Sequence, residues 1–210
     1  MGWPMAMNIH EAGYTLTVFD LDSARSESFA VETGARSAVS LAELGEMDIV
    51  ITMLPNGHVV REVLIETEDG AFIQHAQKGC IVIDMSSAEP TGTRSLAEEL
   101  AIKEVACIDA PVSGGVARAK LGTLTIMIGA EDKQALEKAR PLLQIMGDQL
   151  FETGGIGAGH ATKALNNLIA ATSFVATSEA MLAAKRFGLD LNTFVDVVNV
   201  STGQNFMTDK

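Results

Sequence analysis

The chain has 210 residues, of which 47% are apolar and 20% are charged, and this balance excludes an intrinsically disordered protein. Its 15 basic and 27 acidic residues give a formal net charge of −12, which argues against nucleic acid or an anionic membrane as a partner. The two cysteines and four scattered histidines lack metal-ligand spacing, so no metal site is predicted. We see no secretory signal at the start, and we expect a cytoplasmic protein with reduced thiols.

Up to residue 153, short β-branched runs alternate with helical patterns. Strands are predicted at 15–19, 35–38, 48–54, 80–84, 105–109, 124–128 and 148–153. Helices are predicted from the first residues to Gly13, from an N-cap at Ser23 to Thr33, from a capping box at Ser40, after Gly57, and over 90–103 and 132–146. This alternation predicts a doubly wound α/β sheet with right-handed crossovers.

A glycine-rich stretch then changes the architecture. Four glycines between 154 and 159 form a flexible break that a helix would not tolerate. From about His160 the sequence reads as a long Ala- and Leu-rich helix, and nothing beyond it reads as strand. The window 164–184 is strongly apolar, but it contains Asn, Ser and Glu side chains that a bilayer would accept only at a cost, so we predict a buried helix of a soluble protein. The one domain boundary is therefore placed between 1–153, an α/β domain, and 154–210, an all-α domain.

Small and polar residues follow several predicted strands at their carboxyl ends, where ligands gather in doubly wound folds. They are Asp20, Met53-Leu-Pro-Asn56, Asp84-Met-Ser-Ser87 and Asp109-Ala-Pro-Val-Ser-Gly-Gly115. Asp20 stands eighteen residues after Gly2, which opens a helix, and this is the spacing of a ribose-binding carboxylate in a dinucleotide fold. A simple capping role for Asp20 is the alternative interpretation.

Lys163 and Asn167 lie four residues apart near the start of the long helix, so they share one of its faces. A lysine and an amide side by side at a domain junction could bind and protonate an oxygen substrate. The alternative is a solvated lysine close to a helix start. A free lysine has a pKa of about 10.4, so partial burial would have to lower that value before the amine could act as a base near neutral pH.

Several ordered motifs together resemble the β-hydroxyacid dehydrogenase family over the whole chain. Asp109-Ala-Pro-Val-Ser-Gly-Gly115 matches the family's substrate loop, and Gly157-Ala-Gly-His-Ala-Thr-Lys-Ala-Leu-Asn-Asn167 matches its catalytic Gly-x-Gly-x-x-x-Lys-x-x-x-Asn motif. Met1-Gly2 matches the end of the Gly-x-Gly-x-Met-Gly fingerprint, and Met53-Leu54-Pro55 matches the loop beneath the nicotinamide.

The resemblance implies a Rossmann-type NAD(P)-binding domain followed by a helical domain, and oxidation of an alcohol on a short carboxylic acid. The cofactor-binding residues it implies are Met1, Gly2, Asp20, Met53, Leu54, Pro55 and Ser87. The substrate-binding residues it implies are Ser113, Gly114, Gly115 and Asn167, with Lys163 shuttling the proton of the reacting hydroxyl. For Ser113 and Ser87 a structural turn is the alternative. NAD is favoured because the Asp20 carboxylate would repel a 2′-phosphate, although NADP stays possible.

The departures from the family lie at the two ends. The family's first strand and the first two glycines of its fingerprint have no counterpart, and its helical domain extends further than this sequence does. We therefore expect an internal piece of such an enzyme, in which two strands of the sheet lack their common neighbour.

The favoured reaction is NAD-linked oxidation of 3-hydroxyisobutyrate to methylmalonate semialdehyde, as in valine catabolism. A reductase of tartronate semialdehyde or a related semialdehyde is the alternative within the class, and a catalytically inactive fragment is the alternative outside it. A homodimer or homotetramer formed through the C-terminal helices is expected.

Overall fold

A computed structural model describes residues 1–67 and 71–209, and it divides into two compact units, Met1–Lys163 and Ala164–Lys210. The strands are β1 (Thr17–Val18), β2 (Arg36–Ser37), β3 (Ile49–Thr52), β4 (Ile81–Asp84), β5 (Ala106–Asp109), β6 (Val112–Ser113), β7 (Leu124–Ala130) and β8 (Gly147–Gly154). The α-helices are α1 (Gly2–Glu11), α2 (Ser23–Thr33), α3 (Gly57–Arg61), α4 (Phe72–His75), α5 (Pro90–Ile102), α6 (Gly115–Lys120), α7 (Lys133–Met146), α8 (Ala158–Phe187) and α9 (Leu191–Asn199). A 3-10 helix covers Leu41–Glu46, and a π-helical turn over Glu62–Glu66 continues α3.

The predicted α/β sheet is confirmed. In the larger of two sheets, three neighbouring strands are parallel. β3, β4 and β5 pair in one continuous register, so that Thr52, Asp84 and Asp109 end neighbouring strands side by side. β7 then joins β5 antiparallel, and it also pairs with β6 antiparallel and with β8 parallel. The antiparallel additions are a departure from the uniformly parallel winding that the alternation of elements suggested.

β1 and β2 form a separate two-stranded parallel sheet. Within the described residues β1 does not pair with β3, and each of them is an edge strand. β1 and β3 therefore belong to separate sheets, and the missing common neighbour stays a prediction.

The core of the first unit lies on both faces of β4, whose four residues are all buried. Side chains alternate along a strand, so Ile83 packs on one face with residues of α1 and α7, whereas Val82 packs on the other with residues of α5. Both cysteines are free, and burial raises the pKa of Cys80 to about 11, so this thiol acts as a small apolar side chain.

Two local predictions in the first unit are wrong. Ser40 precedes a 3-10 helix and makes no capping bond, since Glu43 contacts the Val39 amide and the Arg36 guanidinium instead. The N-cap of α2 is Asp22, one residue before the predicted Ser23. Within the substrate loop 109–115 the structure also contains the short strand β6, which pairs with β7, and α6 begins at Gly115.

The predicted burial of the long helix is also wrong. Beyond residue 163 its apolar side chains lie largely in solvent: Leu165, Leu168, Ile169 and Phe174 are between 54% and 69% exposed. An apolar sequence shows that a helix needs a cover, but it does not show which element provides it. Among its described residues, the second unit adds α9 and the turns after it to α8. Among the described residues α8 is the one helix long and apolar enough to cross a membrane, and a single such helix is a weak indication because soluble core helices share that composition.

Candidate active site

The side chain of Asp109, the last residue of β5, is fully buried and binds the start of α8. Its Oδ1 accepts a hydrogen bond from the Gly157 amide at 2.7 Å, and its Oδ2 accepts one from the His160 amide at 2.8 Å. Amides at a helix N-terminus have no partner inside the helix, and the helix dipole favours a negative charge beside them. Asp109 therefore fastens the beginning of α8 to the end of a central strand.

Opposing effects act on this carboxyl group. Burial raises the pKa of Asp109 above its ordinary value, because the charged form loses its water. The amide hydrogen bonds from His160 and Gly157, together with the nearby imidazole of His160, act in the other direction. The carboxylate is thus held in a dry site by donors that favour its charged form.

The imidazole of His160 is buried between the ends of the parallel strands. Its Nε2–H donates to the Ser86 carbonyl at 3.1 Å, and its Nδ1 lies 2.7 Å from the Thr93 hydroxyl. A carbonyl oxygen can only accept, so Nε2 carries a hydrogen. Carboxylate oxygens of Asp84 and Asp109 stand 3.7 Å from Nε2 and Nδ1 respectively. The ring therefore links β4, β5 and α5 in one buried polar cluster.

Asp84 extends this cluster to the neighbouring strand. Its Oδ1 accepts hydrogen bonds from the Thr52 hydroxyl at 2.8 Å and from the Ser86 amide at 3.0 Å. The Ser86 hydroxyl in turn accepts from the Leu54 amide at 2.9 Å. The loop of Met53, Leu54 and Pro55 after β3 is therefore tied to the end of β4.

Two glycines at the start of α8 allow a close approach of backbone atoms. Gly159 lies inside α8, contrary to the prediction, and a Cβ placed on it would stand 2.3 Å from the Met127 carbonyl oxygen. Gly157 has a φ of +84°, and a Cβ there would stand 2.9 Å from the Pro90 carbonyl oxygen. Both positions need glycine because backbone atoms occupy the space of a side chain.

Lys163 lies on the first turns of α8 and is half-buried. Burial lowers the pKa of its amine below the 10.5 of a free lysine, which is the change that the proposed base requires. Asn167 lies four residues further along the same helix and is exposed. Its predicted contact with a substrate oxygen stays a prediction.

The substrate loop begins at Asp109 and ends at the first residue of α6. Ser113 is half-buried in β6, opposite Thr125 of β7, while Gly114 and Gly115 are exposed. These glycines have φ values of +130° and +64°, a backbone conformation that a side chain would strain. Because Asp109 also binds α8, the loop and the helix of Lys163 share one buried anchor.

Among the predicted cofactor residues, Met1, Gly2 and Met53 lie close together. Met1 and Met53 pack against the same core cluster, and a Cβ on Gly2 would lie 3.8 Å from the Met53 Cβ. Pro55 and Ser87 are exposed on the loops after β3 and β4. Asp20 follows β1 in the smaller sheet, where it is exposed and accepts a hydrogen bond from the Asp22 amide.

Known proteins match this chain both in sequence and in fold. Residues 1–155 match the family model of the NAD binding domain of 6-phosphogluconate dehydrogenase. Residues 157–210 match the model of the NAD-binding region of NADP-dependent 3-hydroxyisobutyrate dehydrogenase. The NAD-dependent L-serine dehydrogenase of Pseudomonas aeruginosa is 38% identical over 98% of this chain and 68% of its own length.

Two further proteins agree with this match. The mitochondrial 3-hydroxyisobutyrate dehydrogenase of Drosophila melanogaster is 39% identical over 97% of this chain and 61% of its own length. The structure of Mycobacterium tuberculosis 3-hydroxyisobutyrate dehydrogenase with L-serine superposes with a TM-score of 0.88 and 35% identity, covering 98% of this chain and 69% of that one. The chain belongs to the β-hydroxyacid dehydrogenase family. It spans 61% to 69% of the lengths of these three proteins.

Members of the β-hydroxyacid dehydrogenase family are NAD(P)-dependent oxidoreductases, and the residues at the N-terminus of α1 suit that cofactor. No side chain caps α1, so the Gly2 and Trp3 amides of its first turn can donate to a phosphate group, whereas Pro4 has no amide hydrogen. Gly2 at this position has no side chain to block the approach. The carboxylate of Asp20, exposed after β1, can accept hydrogen bonds from a ribose.

Sequence reasoning missed the buried anchor of this β-hydroxyacid dehydrogenase site. Asp84 and Asp109 stood out as residues at strand ends, but their side chains were given no role. The histidines were considered only as metal ligands, so His160 was set aside. Its place inside the catalytic motif, three residues after Gly157, was the signal available.

Proposed function

We propose that this chain carries the active site of an NAD-linked dehydrogenase of short 3-hydroxy carboxylic acids. The observation that carries the proposal is the half-buried Lys163, whose pKa is lowered by burial. This amine stands on a helix that the substrate loop itself anchors through Asp109. A proton acceptor is thus linked to a loop suited to bind a carboxylate.

In the proposed reaction, Ser113 and the amides of Gly114 and Gly115 bind the substrate carboxylate, and Asn167 holds a substrate oxygen. Lys163 in its neutral form takes the proton of the C3 hydroxyl, while the hydride on C3 leaves with its electron pair. Bound NAD+ supplies the hydride acceptor. The products are an aldehyde, NADH and one proton on the lysine, so charge and atoms balance.

The favoured substrate is 3-hydroxyisobutyrate, which would place the enzyme in valine breakdown. L-serine is a second candidate, because a serine dehydrogenase is among the similar proteins and L-serine accompanies the similar mycobacterial structure. Both molecules are 3-hydroxypropanoates that differ in the substituent on C2, which is a methyl group in 3-hydroxyisobutyrate and an amino group in L-serine. Reduction of tartronate semialdehyde or a related semialdehyde is the same chemistry in reverse, and an inactive fragment is the remaining alternative.

NAD is the proposed coenzyme, because the exposed Asp20 carboxylate would repel the 2′-phosphate of NADP. We further propose a homodimer or homotetramer built through the apolar C-terminal helices, in the cytoplasm. Exposed Leu168, Ile169 and Phe174 on α8 support that assembly, because contiguous apolar surface of this kind usually marks an interface. The net charge of −12 disfavours nucleic acid and anionic membranes as partners.

The test follows NADH absorbance while the chain is given NAD+ or NADP+ with 3-hydroxyisobutyrate, L-serine or a 2-hydroxy acid of the same size. We expect turnover with the two 3-hydroxy acids, a preference for NAD+, and none with the 2-hydroxy acid, whose hydroxyl stands on the wrong carbon. NADH fluorescence measures coenzyme binding separately. Coenzyme binding without turnover of any 3-hydroxy acid would favour the inactive-fragment alternative.

A further inference from the structure

The buried contacts of Asp109 join the two parts of the site that bind the substrate and move its proton. We propose that Asp109 is a positioning residue, whose carboxylate determines where the first turn of α8 begins and thereby where the Lys163 amine stands relative to the loop 109–115. This inference rests on the proposed function, because it assumes that Lys163 acts on a substrate held by that loop.

The contact constrains the helix in two ways. Each carboxylate oxygen of Asp109 accepts one amide, and the donors Gly157 and His160 are three residues apart. Two bonds to different residues restrict both sliding and rotation of the first turn, which a single bond would not. Lys163 lies three residues after His160, about 4.5 Å further along the axis at about 1.5 Å per residue. A displacement at the anchor therefore reaches the amine through one turn of helix.

Close packing around the anchor prevents another group from taking its place. The Cβ position of Gly159 is already filled by the Met127 carbonyl oxygen and by Asp109 itself. The guanidinium of Arg94 donates to the Ile156 carbonyl at 3.2 Å, which holds the segment just before the helix. Asp109 is fully buried, so water has little access to the amides that the carboxylate serves.

An ordinary helix cap in the same protein provides the contrast. Asp132 caps α7, and its Oδ1 accepts hydrogen bonds from the Gln134 and Ala135 amides at 2.8 and 3.0 Å. The number of amides is the same, but Asp132 is exposed and serves only the helix that follows it. The anchor formed by Asp109 instead joins residues 48 and 51 positions apart in sequence. D132N is therefore the matched control for D109N.

The experiment compares the parent chain, D109N and D132N by three measurements. An asparagine keeps one acceptor oxygen but turns its NH2 group toward the second amide, so it removes one bond without a large change of volume. Amide hydrogen exchange reports the state of Gly157, His160, Gln134 and Ala135. Steady-state kinetics separates kcat from the KM values for NAD+ and for the hydroxy acid. The pH midpoint of lysine labelling, read by mass spectrometry, reports the Lys163 amine whether or not the chain turns over.

In D109N we expect faster exchange at Gly157 and His160, a kcat about 100-fold lower, and a KM for NAD+ within about twofold of the parent, because small misplacements of a reacting group can cost that much. The labelling midpoint of Lys163 rises toward that of exposed lysines. In D132N the asparagine oxygen keeps both amide bonds that Asp132 Oδ1 accepts, so exchange in α7, kcat and the Lys163 midpoint stay close to those of the parent.

Faster exchange in D109N with an unchanged kcat and an unchanged Lys163 midpoint would overturn the proposal. If the parent chain shows no turnover, the proposed function fails separately, and the Lys163 midpoint alone decides: a rise in D109N but not in D132N supports positioning, and no rise contradicts it. If D109N does not fold, D109S replaces it, since serine is smaller and still offers one acceptor.

Discussion

Asp20 and the pair Asp84 and Asp109 occupy the same place in the sequence pattern, each at or just after the end of a strand, but their surroundings differ completely. Asp84 and Asp109 are 1% and 0% exposed, and their oxygens accept hydrogen bonds from strand ends, loops and a helix start. Asp20 is exposed and accepts a bond from an amide two residues away. The comparison teaches that carboxylates at the ligand edge of a sheet can either build its frame or face its ligand, and that burial decides which.

The largest effect on turnover is expected at Lys163, which lies on the helix that Asp109 anchors and is proposed to act on the substrate. A Lys163→Ala change removes the proposed proton acceptor and should lower kcat by about 10³-fold, within the range of general-base catalysis. NADH binding should stay within about threefold of the parent, because the lysine is assigned to the substrate and not to the coenzyme. Steady-state kinetics measures the fall in kcat, and fluorescence titration measures NADH binding. A K163A variant that retains turnover would contradict the role assigned to the lysine.

The contrast between buried and exposed carboxylates is tested by replacing one aspartate of each kind with alanine. Asp84→Ala leaves the Thr52 hydroxyl and the Ser86 amide without their acceptor in a buried site, so the free energy of unfolding should fall by about 1–3 kcal/mol. Asp20→Ala should change that free energy by less than about 0.5 kcal/mol, as expected for an exposed position, while it weakens NADH binding. Urea denaturation and fluorescence titration measure both variants. Equal losses of stability would mean that the two carboxylates are not of different kinds.

A smaller effect is expected on the substrate loop. Ser113→Ala removes one proposed hydrogen bond to the substrate carboxylate, and KM for the hydroxy acid should rise about tenfold, equivalent to about 1.4 kcal/mol. Stability should be unchanged, since no hydrogen bond of the Ser113 side chain supports the frame described above. A KM within twofold of the parent would favour the structural-turn interpretation of this serine.

The sequence predicted the repeating layout of the first unit well, because parallel strands covered on both faces carry continuous apolar runs, as in Ile81–Asp84. It predicted the Gly-rich start of α8 but misread its glycines, since a requirement for close approach to Met127 and Pro90 appears only when distant strands are brought together. The same reason explains the missed cluster of His160, Asp84 and Asp109. Its members are up to 76 residues apart along the chain.

In the second unit the sequence predicted the helix correctly but not its burial. The helix pattern of α8 was recognised correctly, but its apolar composition was taken to mean burial, and the side chains beyond residue 163 are exposed. Periodicity identifies a helix because it depends on local geometry, whereas burial depends on partners that a helical pattern does not name. The resemblance carried the assignment of Ser113, and it decided between the two interpretations of Lys163 that the local pattern had left open.

The pH dependence of turnover tests the central claim most directly, because a proton shuttle must be neutral in one direction and charged in the other. Burial lowers the pKa of Lys163 below 10.5. The rate of hydroxy-acid oxidation should therefore rise with pH and level off below that value, as the amine becomes able to accept a proton. The rate of aldehyde reduction should fall over the same range, as the amine loses the proton that it must donate. Profiles that are flat in both directions, or that persist unchanged in the residual activity of K163A, would contradict the account.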